Sequence, residues 1–288
     1  MNVVVLLGDP VQQARLPELM DPWRDVAQLV SLQVASTDLH SVVAALRRSP
    51  SVAGFVFTVP HKIAAAEFAD RLSPRAQRAG CINVLRRDPD RTWFGDTFDG
   101  LGFIEGLRAG GHTVDGASVA VVGGGGAGTV IAAALVDAGA CRVQVSEVNA
   151  ERRQTLARRF AGTAVVVTES TDPSDVDLLV NATPLGLRPA DPLPVVLDGS
   201  GLPAAAVVAD IIMTPAVTRL LADAKRLGYR THPGVHMLSH QVDLIVDFFA
   251  DVPVRRGSSG ADVEPAVAET ENRRDLLRRF EECRRNRL

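Results

Sequence analysis

Apolar positions along the chain follow two alternating rhythms. Short β-branched runs at residues 3–7 and 52–57 read as strands, and residues 39–47 between them carry apolar side chains at helical spacing. A second series follows, with strand runs at 118–122, 142–146, 164–167, 178–181 and 206–211 and helical stretches between them, notably 129–138 and 150–160. Strands alternating with helices are the pattern of βα units and of a largely parallel sheet. After Gly234, residues 237–249 are strongly apolar with no charged face, so this helix is expected to pack into a core and to return to the first part of the chain. The pattern predicts an α/β protein of two domains, one formed by residues 1–103 plus 236–254 and one by 104–235. Residues 255–271, rich in Gly, Ser, Ala and acidic side chains, read as a linker. The Arg-rich stretch 271–288, with Leu276, Leu277 and Phe280 as a short apolar stripe, reads as a charged tail forming a solvated helix, the alternative being a partner-binding element.

Composition agrees with two domains, since 288 residues exceed what one core needs and 46% hydrophobic content is enough for substantial cores. With 31 basic and 34 acidic residues the net charge is −3, which gives no electrostatic reason for nucleic acid or an anionic membrane as partner and leaves small molecules. Cys81, Cys141 and Cys283 are far apart and show neither a CxxC pair nor metal-ligand spacing, which fits a reducing cytoplasm. His232, His236 and His240 share no metal spacing with carboxylates or cysteines, so no metal site is expected. His61, after a proline, reads as a solvated surface side chain. The N-terminus is apolar for a few residues only, lacks a basic segment and reads as a first strand. No run approaches the roughly 20 apolar residues that a membrane helix needs. The expectation is a cytoplasmic protein, monomer or homodimer, acting on a small molecule.

The second domain carries a phosphate-binding signature. Gly123-Gly-Gly-Gly-Ala-Gly128 follows the strand 118–122, satisfies GxGxxG through Gly123, Gly125 and Gly128, and opens into a helix. Gly123 permits the tight turn, Gly125 lets backbone N–H groups approach a pyrophosphate, and Gly128 allows close helix–strand packing. The helix N-terminus adds partial positive charge. This is a Rossmann dinucleotide-binding arrangement. Glu147 stands at the end of the next strand, about 20 residues past the last glycine, where an acidic side chain meets the adenosine ribose and repels a 2′-phosphate. NAD is therefore expected over NADP. Arg152 and Arg153, just beyond, are the features that would favour NADP instead.

Several separated segments resemble the shikimate dehydrogenase family in the family's own order, across nearly residues 8–249. Gly54-Phe-Val-Phe-Thr-Val-Pro-His-Lys62 resembles GxNVTxPxK, and Gly95-Asp-Thr-Phe-Asp-Gly-Leu-Gly102 resembles GxNTDGxG. Asn181-Ala-Thr-Pro-Leu-Gly186 matches NATPxG, and Gly234-Val-His-Met-Leu-Ser-His-Gln241 matches GxxMLxxQ. The resemblance implies an N-terminal α/β substrate domain joined to the Rossmann domain, with Lys62 and Asp99 as the acid/base pair. It implies Thr58, Asn83, Gln241 and Arg15 at the substrate. At the cofactor it implies Gly123, Gly125, Gly126, Gly128, Glu147, Asn181, Thr183, Met213 and Gly234. Oxidising a secondary alcohol needs a proton acceptor at oxygen while hydride leaves to the nicotinamide, and a Lys–Asp pair suits that task.

Departures from the family pattern gather in the substrate pocket. Ala14 and Leu16 stand where two hydroxyls would bind the shikimate carboxylate, Val56 replaces an Asn, Thr97-Phe98 replaces Asn-Thr, and Met213 stands in place of a Tyr. Each lost donor would leave a polyol atom unpaired at a cost of roughly 1–3 kcal/mol, so shikimate itself is expected to bind poorly. The resemblance is to the NAD-preferring, shikimate dehydrogenase-like branch, acting on a cyclic hydroxy acid related to shikimate or quinate. The alternatives are the biosynthetic NADP-dependent enzyme and a non-catalytic nucleotide-sensing protein; the retained Lys62 and Asp99 argue against the latter.

Overall fold

A computed structural model of the chain describes residues 3–12, 14, 16–17, 28–197 and 201–250. Arg15, the expected linker 255–271 and the expected tail 271–288, with Leu276, Leu277, Phe280 and Cys283, lie outside the described residues. Met1–Pro253 form one compact unit built on two six-stranded sheets.

The first sheet contains β1 (Val3–Gly8), β2 (Gln28–Gln33), β3 (Val52–Phe57), β4 (Arg71–Leu72), β5 (Val84–Arg87) and β6 (Trp93–Asp96), in the order β2-β1-β3-β5-β6-β4. β1 pairs in parallel with β2 and β3, and β4 with β6, whereas β5 runs antiparallel to both β3 and β6. The near-continuous apolar runs of β1 and β3 are those of central strands covered on both faces. Helix α1 (Leu39–Leu46) buries Leu39 and Val43 against them, in a core with Leu7, Phe55, Phe57, Phe68, Ile82 and Trp93. A short helix, α2 (Pro74–Ala79), begins at the N-cap Ser73 with proline in its first position.

The second sheet contains β7 (Ser118–Val122), β8 (Arg142–Ser146), β9 (Val165–Thr168), β10 (Leu178–Asn181), β11 (Val207–Asp210) and β12 (Arg230–Pro233), all parallel, in the order β12-β11-β10-β7-β8-β9. Counted from β7 this is the doubly wound order 3-2-1-4-5-6, whose strand direction of progress reverses between β7 and β10; ligands of such sheets bind at that switch point. Five helices complete the described unit: α3 (Asp99–Ala109), α4 (Gly126–Asp137), α5 (Ala150–Arg159), α6 (Arg219–Arg226) and α7 (Val235–Ala250). The helix expected from residue 129 begins at Gly126. Gly125 serves as its N-cap, so Gly126 and Gly128 belong to its first turn.

Helix α7 buries Met237, Leu238, Gln241, Val242, Ile245, Val246, Phe248 and Phe249. It lies along α3 because Gly102 and Gly106 leave room: a Cβ at Gly102 would sit 2.4 Å from the Met237 carbonyl oxygen, and one at Gly106 would sit 3.1 Å from His236. Its far end reaches the first sheet, where a Cβ on Gly54 of β3 would sit 2.4 Å from the Phe249 ring. The C-terminal helix thus returns to the first lobe as its apolar face demanded. His61 departs from the sequence expectation. It is 1% exposed, its Nε2 lies 2.8 Å from the Val34 carbonyl oxygen, and that partner makes burial tolerable.

Candidate active site

The turn after β3 presents Lys62, whose carbonyl is held by the Ile82 N–H at 3.0 Å. Asp99 opens α3, where the positive end of the helix favours a carboxylate. Lys62 Nζ donates to Asp99 Oδ2 at 2.6 Å, with side chains 13% and 3% exposed. Asn83, next to β5, accepts from the Phe98 N–H at 3.0 Å and donates to Asp99 Oδ1 at 3.2 Å and to Gln241 Oε1 at 3.3 Å. Residues from three separate stretches and from α7 therefore meet in one polar cluster. Gln241 Nε2 and Thr97 Oγ1 are buried with no partner in the structure. Unmet buried donors cost about 1–3 kcal/mol each, so an acceptor supplied by a ligand fits beside Gln241.

Thr58 lies at the end of β3 with its methyl group against Gly8 of β1. Ala14 is half-buried and Leu16, Val56 and Phe98 are buried; these are the apolar side chains at positions where the resemblance leads one to expect polar groups. Burial, followed by the Asp99 charge, pushes the Cys81 thiol up to about 12, which disfavours the thiolate.

The glycine-rich loop abuts the turn that carries Lys62, since a Cβ on Gly126 would lie 3.3 Å from Lys62 Cβ. Gly123 has φ +100°, a left-handed backbone that glycine adopts without strain. A Cβ on Gly128 would sit 1.9 Å from the Gly123 carbonyl oxygen, so close packing of turn and helix requires glycine there, whereas Gly125 faces open space. Turn, open backbone and the start of α4 form a cradle that fits a pyrophosphate.

Glu147 follows β8 and is 6% exposed. Its Oε1 accepts from the Asn149 N–H at 2.8 Å, and its side chain faces the loop, 3.1 Å from where a Cβ on Gly124 would stand. Arg152 lies 3.7 Å from Glu147 Oε2. Arg153 turns away to the Glu147 and Val148 carbonyls and to Glu169.

Asn181 ends β10 fully buried, donating to Asp210 Oδ1 and the Leu185 carbonyl, each at 3.1 Å, and accepting from the Thr183 N–H and hydroxyl. It shapes the loop that Thr183 displays, and Thr183 meets Gly123 across the switch point. Asp210 was not anticipated. Burial raises its pKa, opposed by hydrogen bonds from the Ile212 N–H, Thr218 and Asn181, and it knits the ends of β10 and β11. The apolar run ending at a lone aspartate was the signal available in the sequence. Met213, half-buried, follows β11, and Gly234 lets the start of α7 approach Ile211, whose carbonyl oxygen would be 2.4 Å from a Cβ there. A cavity of about 440 Å³ lies beside these loops, lined by Leu185, Arg188, Pro192, Leu193, Thr214 and Arg219, away from Lys62 and Asp99. Among the described residues no group of side chains is arranged to hold a metal ion, and no helix is long and apolar enough to cross a membrane.

A family model described as the shikimate dehydrogenase substrate binding domain matches residues 6–85. Among curated proteins, the chain is 38% identical over 245 residues to shikimate dehydrogenase (NADP(+)) of Paramagnetospirillum magneticum, a match covering 82% of this chain and 88% of the relative. Among solved structures it is similar to shikimate 5-dehydrogenase from Thermus thermophilus in complex with NADP(H) and shikimate, at 29% identity and a TM-score of 0.75, covering 88% of this chain and 94% of that one. It is also similar to quinate dehydrogenase from Corynebacterium glutamicum in complex with NAD, at 28% identity and a TM-score of 0.73, covering 87% and 94%.

Proposed function

The chain belongs to the shikimate dehydrogenase family, and from that premise we propose that it is a nicotinamide-dependent dehydrogenase of a shikimate- or quinate-like cyclic hydroxy acid. The observation that carries this reading is the buried Lys62–Asp99 pair at 2.6 Å, set against Gly126 of the cradle and sharing Asn83 with Gln241, whose Nε2 has no partner. Residues 1–103 plus 236–254 bind substrate in this reading and residues 104–235 hold the cofactor.

The bound nicotinamide supplies the hydride acceptor or donor. In the reducing direction the Lys62 ammonium donates a proton to the carbonyl oxygen as charge develops there. In the oxidising direction the same nitrogen takes the hydroxyl proton, while Asp99 orients it and balances its charge. Gln241 Nε2 donates to an oxygen of the ring substrate, and Thr58 and Asn83 line the same side. Gly123, Gly125, Gly126 and Gly128 would hold the pyrophosphate, and Thr183, Met213 and Gly234 the nicotinamide side.

NAD is the proposed cofactor because the Glu147 carboxylate stands where the adenosine ribose would lie. The reading with NADP has its own support in Arg152, close to Glu147, and in the NADP-dependent relatives. Steady-state assays with both cofactors against shikimate, quinate and their analogues test the proposal. Turnover of a ring hydroxy acid other than shikimate supports it. Absence of turnover across the panel, with cofactor still bound, would favour a nucleotide-sensing role.

A further inference from the structure

Helix α2 carries one side chain that reaches three consecutive residues just ahead of Asp99. The Arg75 guanidinium donates to the Asp96 carboxylate and, through Nε, to the Thr97 carbonyl at 3.1 Å. Its central carbon lies 4.9 Å from the centroid of the Phe98 ring. Ser73, the N-cap of α2, donates to the other oxygen of Asp96, which also accepts from the Thr97 N–H at 2.7 Å. Asp96 is 3% exposed, and a carboxylate so buried is tolerable only with this full set of partners.

The grip passes directly to the reacting pair. The Phe98 N–H holds Asn83 Oδ1, and Asn83 in turn donates to Asp99 Oδ1. The segment 96–98 is thus fixed by its side chain, its carbonyl and its ring from one side, and by Asn83 from the other. Arginine is suited to this in a way lysine is not, because its planar fork serves two acceptors while its face lies on an aromatic ring.

We propose that Arg75 is a positioning residue for Asp99: it touches no reacting atom, and it sets where the Asp99 carboxylate stands relative to Lys62. The inference rests on Lys62 and Asp99 being the acid/base pair. A displacement of about 1 Å in such a pair can cost on the order of 100-fold in rate.

The test measures kcat, KM and cofactor Kd for Arg75→Ala, Arg75→Lys, Asp96→Asn and the double variant Arg75→Ala/Asp96→Asn, with Lys62→Ala as a control. Arg75→Ala is expected to lower kcat by roughly 10- to 100-fold while cofactor Kd changes less than about 2-fold. Arg75→Lys should recover melting temperature more fully than kcat, and the double variant should lose far less than the product of the single losses, as expected for partners in one network. Unchanged kcat in Arg75→Ala, with Lys62→Ala inactive, overturns the positioning role alone. Near wild-type turnover in Lys62→Ala overturns both this role and the acid/base reading. If Arg75→Ala does not fold, Arg75→Lys decides, and full kcat in that variant overturns the proposal.

Discussion

In the proposed reading, the choice of cofactor rests on the Glu147 carboxylate. A 2′-phosphate beside it would suffer like-charge repulsion and forfeit ribose hydrogen bonds, together about 1–3 kcal/mol, which corresponds to roughly 10- to 100-fold in kcat/KM. Arg152, 3.7 Å away and half exposed, partly offsets that repulsion. Wild type is expected to prefer NAD by this factor, and Glu147→Ala to lose most of the preference. Comparing kcat/KM for the two cofactors in both proteins decides it, and a wild type that favours NADP would remove Glu147 as the determinant. Lys62 and Asp99 stood out only through the resemblance of their motifs, whereas the glycine turn was legible in the sequence because GxGxxG after a strand specifies local backbone. His61 was not, since its partner, the Val34 carbonyl, comes from a distant strand end. Asp210 and Asp96 were missed for the same reason, each being satisfied by contacts that only the fold assembles.

The seam where α3, β12 and α7 meet holds an unusual set of rings. His232 stacks on His236 at 5.0 Å and meets Phe103 and His112 edge-on. Burial, then the neighbouring His236, His112 and His240, lowers its pKa from 6.5 to about 4. Because the folded value lies below the unfolded one, the unfolded chain takes up the proton more readily. The stabilising contribution is complete above about pH 6.5 and is lost as pH falls toward 4. His232→Phe keeps a ring of similar shape and should flatten this dependence, by up to about 1 kcal/mol per pH unit, or roughly 2–4 °C in melting temperature for a chain this size. Parallel melting curves of the two proteins from pH 7.5 to 4.5 would speak against the assignment. At this scale the strongly periodic elements were legible, while β5 and β6 were not. In the structure Arg86 and Arg87 lie over Phe248 and Trp93, each 4.8 Å from the ring, so half-buried cations obscure the strand pattern.

Across the whole molecule, the alternation of strands and helices foretold the parallel second sheet and hence its switch point between β7 and β10. The antiparallel hairpin in the first sheet, formed by β5 and β6, broke that rhythm. The return of α7 was legible in its apolar face, and the room for it, made by Gly54, Gly102 and Gly106, became evident only in three dimensions. Every buried side chain of α7 precedes Ala250, so truncation after Asp251 is expected to leave turnover intact and melting temperature within a few degrees. A large fall would show that the removed residues contribute to a core. The account as a whole stands on the proposed proton transfer through Lys62 and Asp99 beside the glycine cradle. Its most direct test is single-turnover and steady-state kinetics of Lys62→Ala and Asp99→Asn, with cofactor binding followed by fluorescence. The account predicts kcat lower by about 100-fold or more in each, with cofactor affinity nearly unchanged; turnover close to wild type in either variant would contradict it.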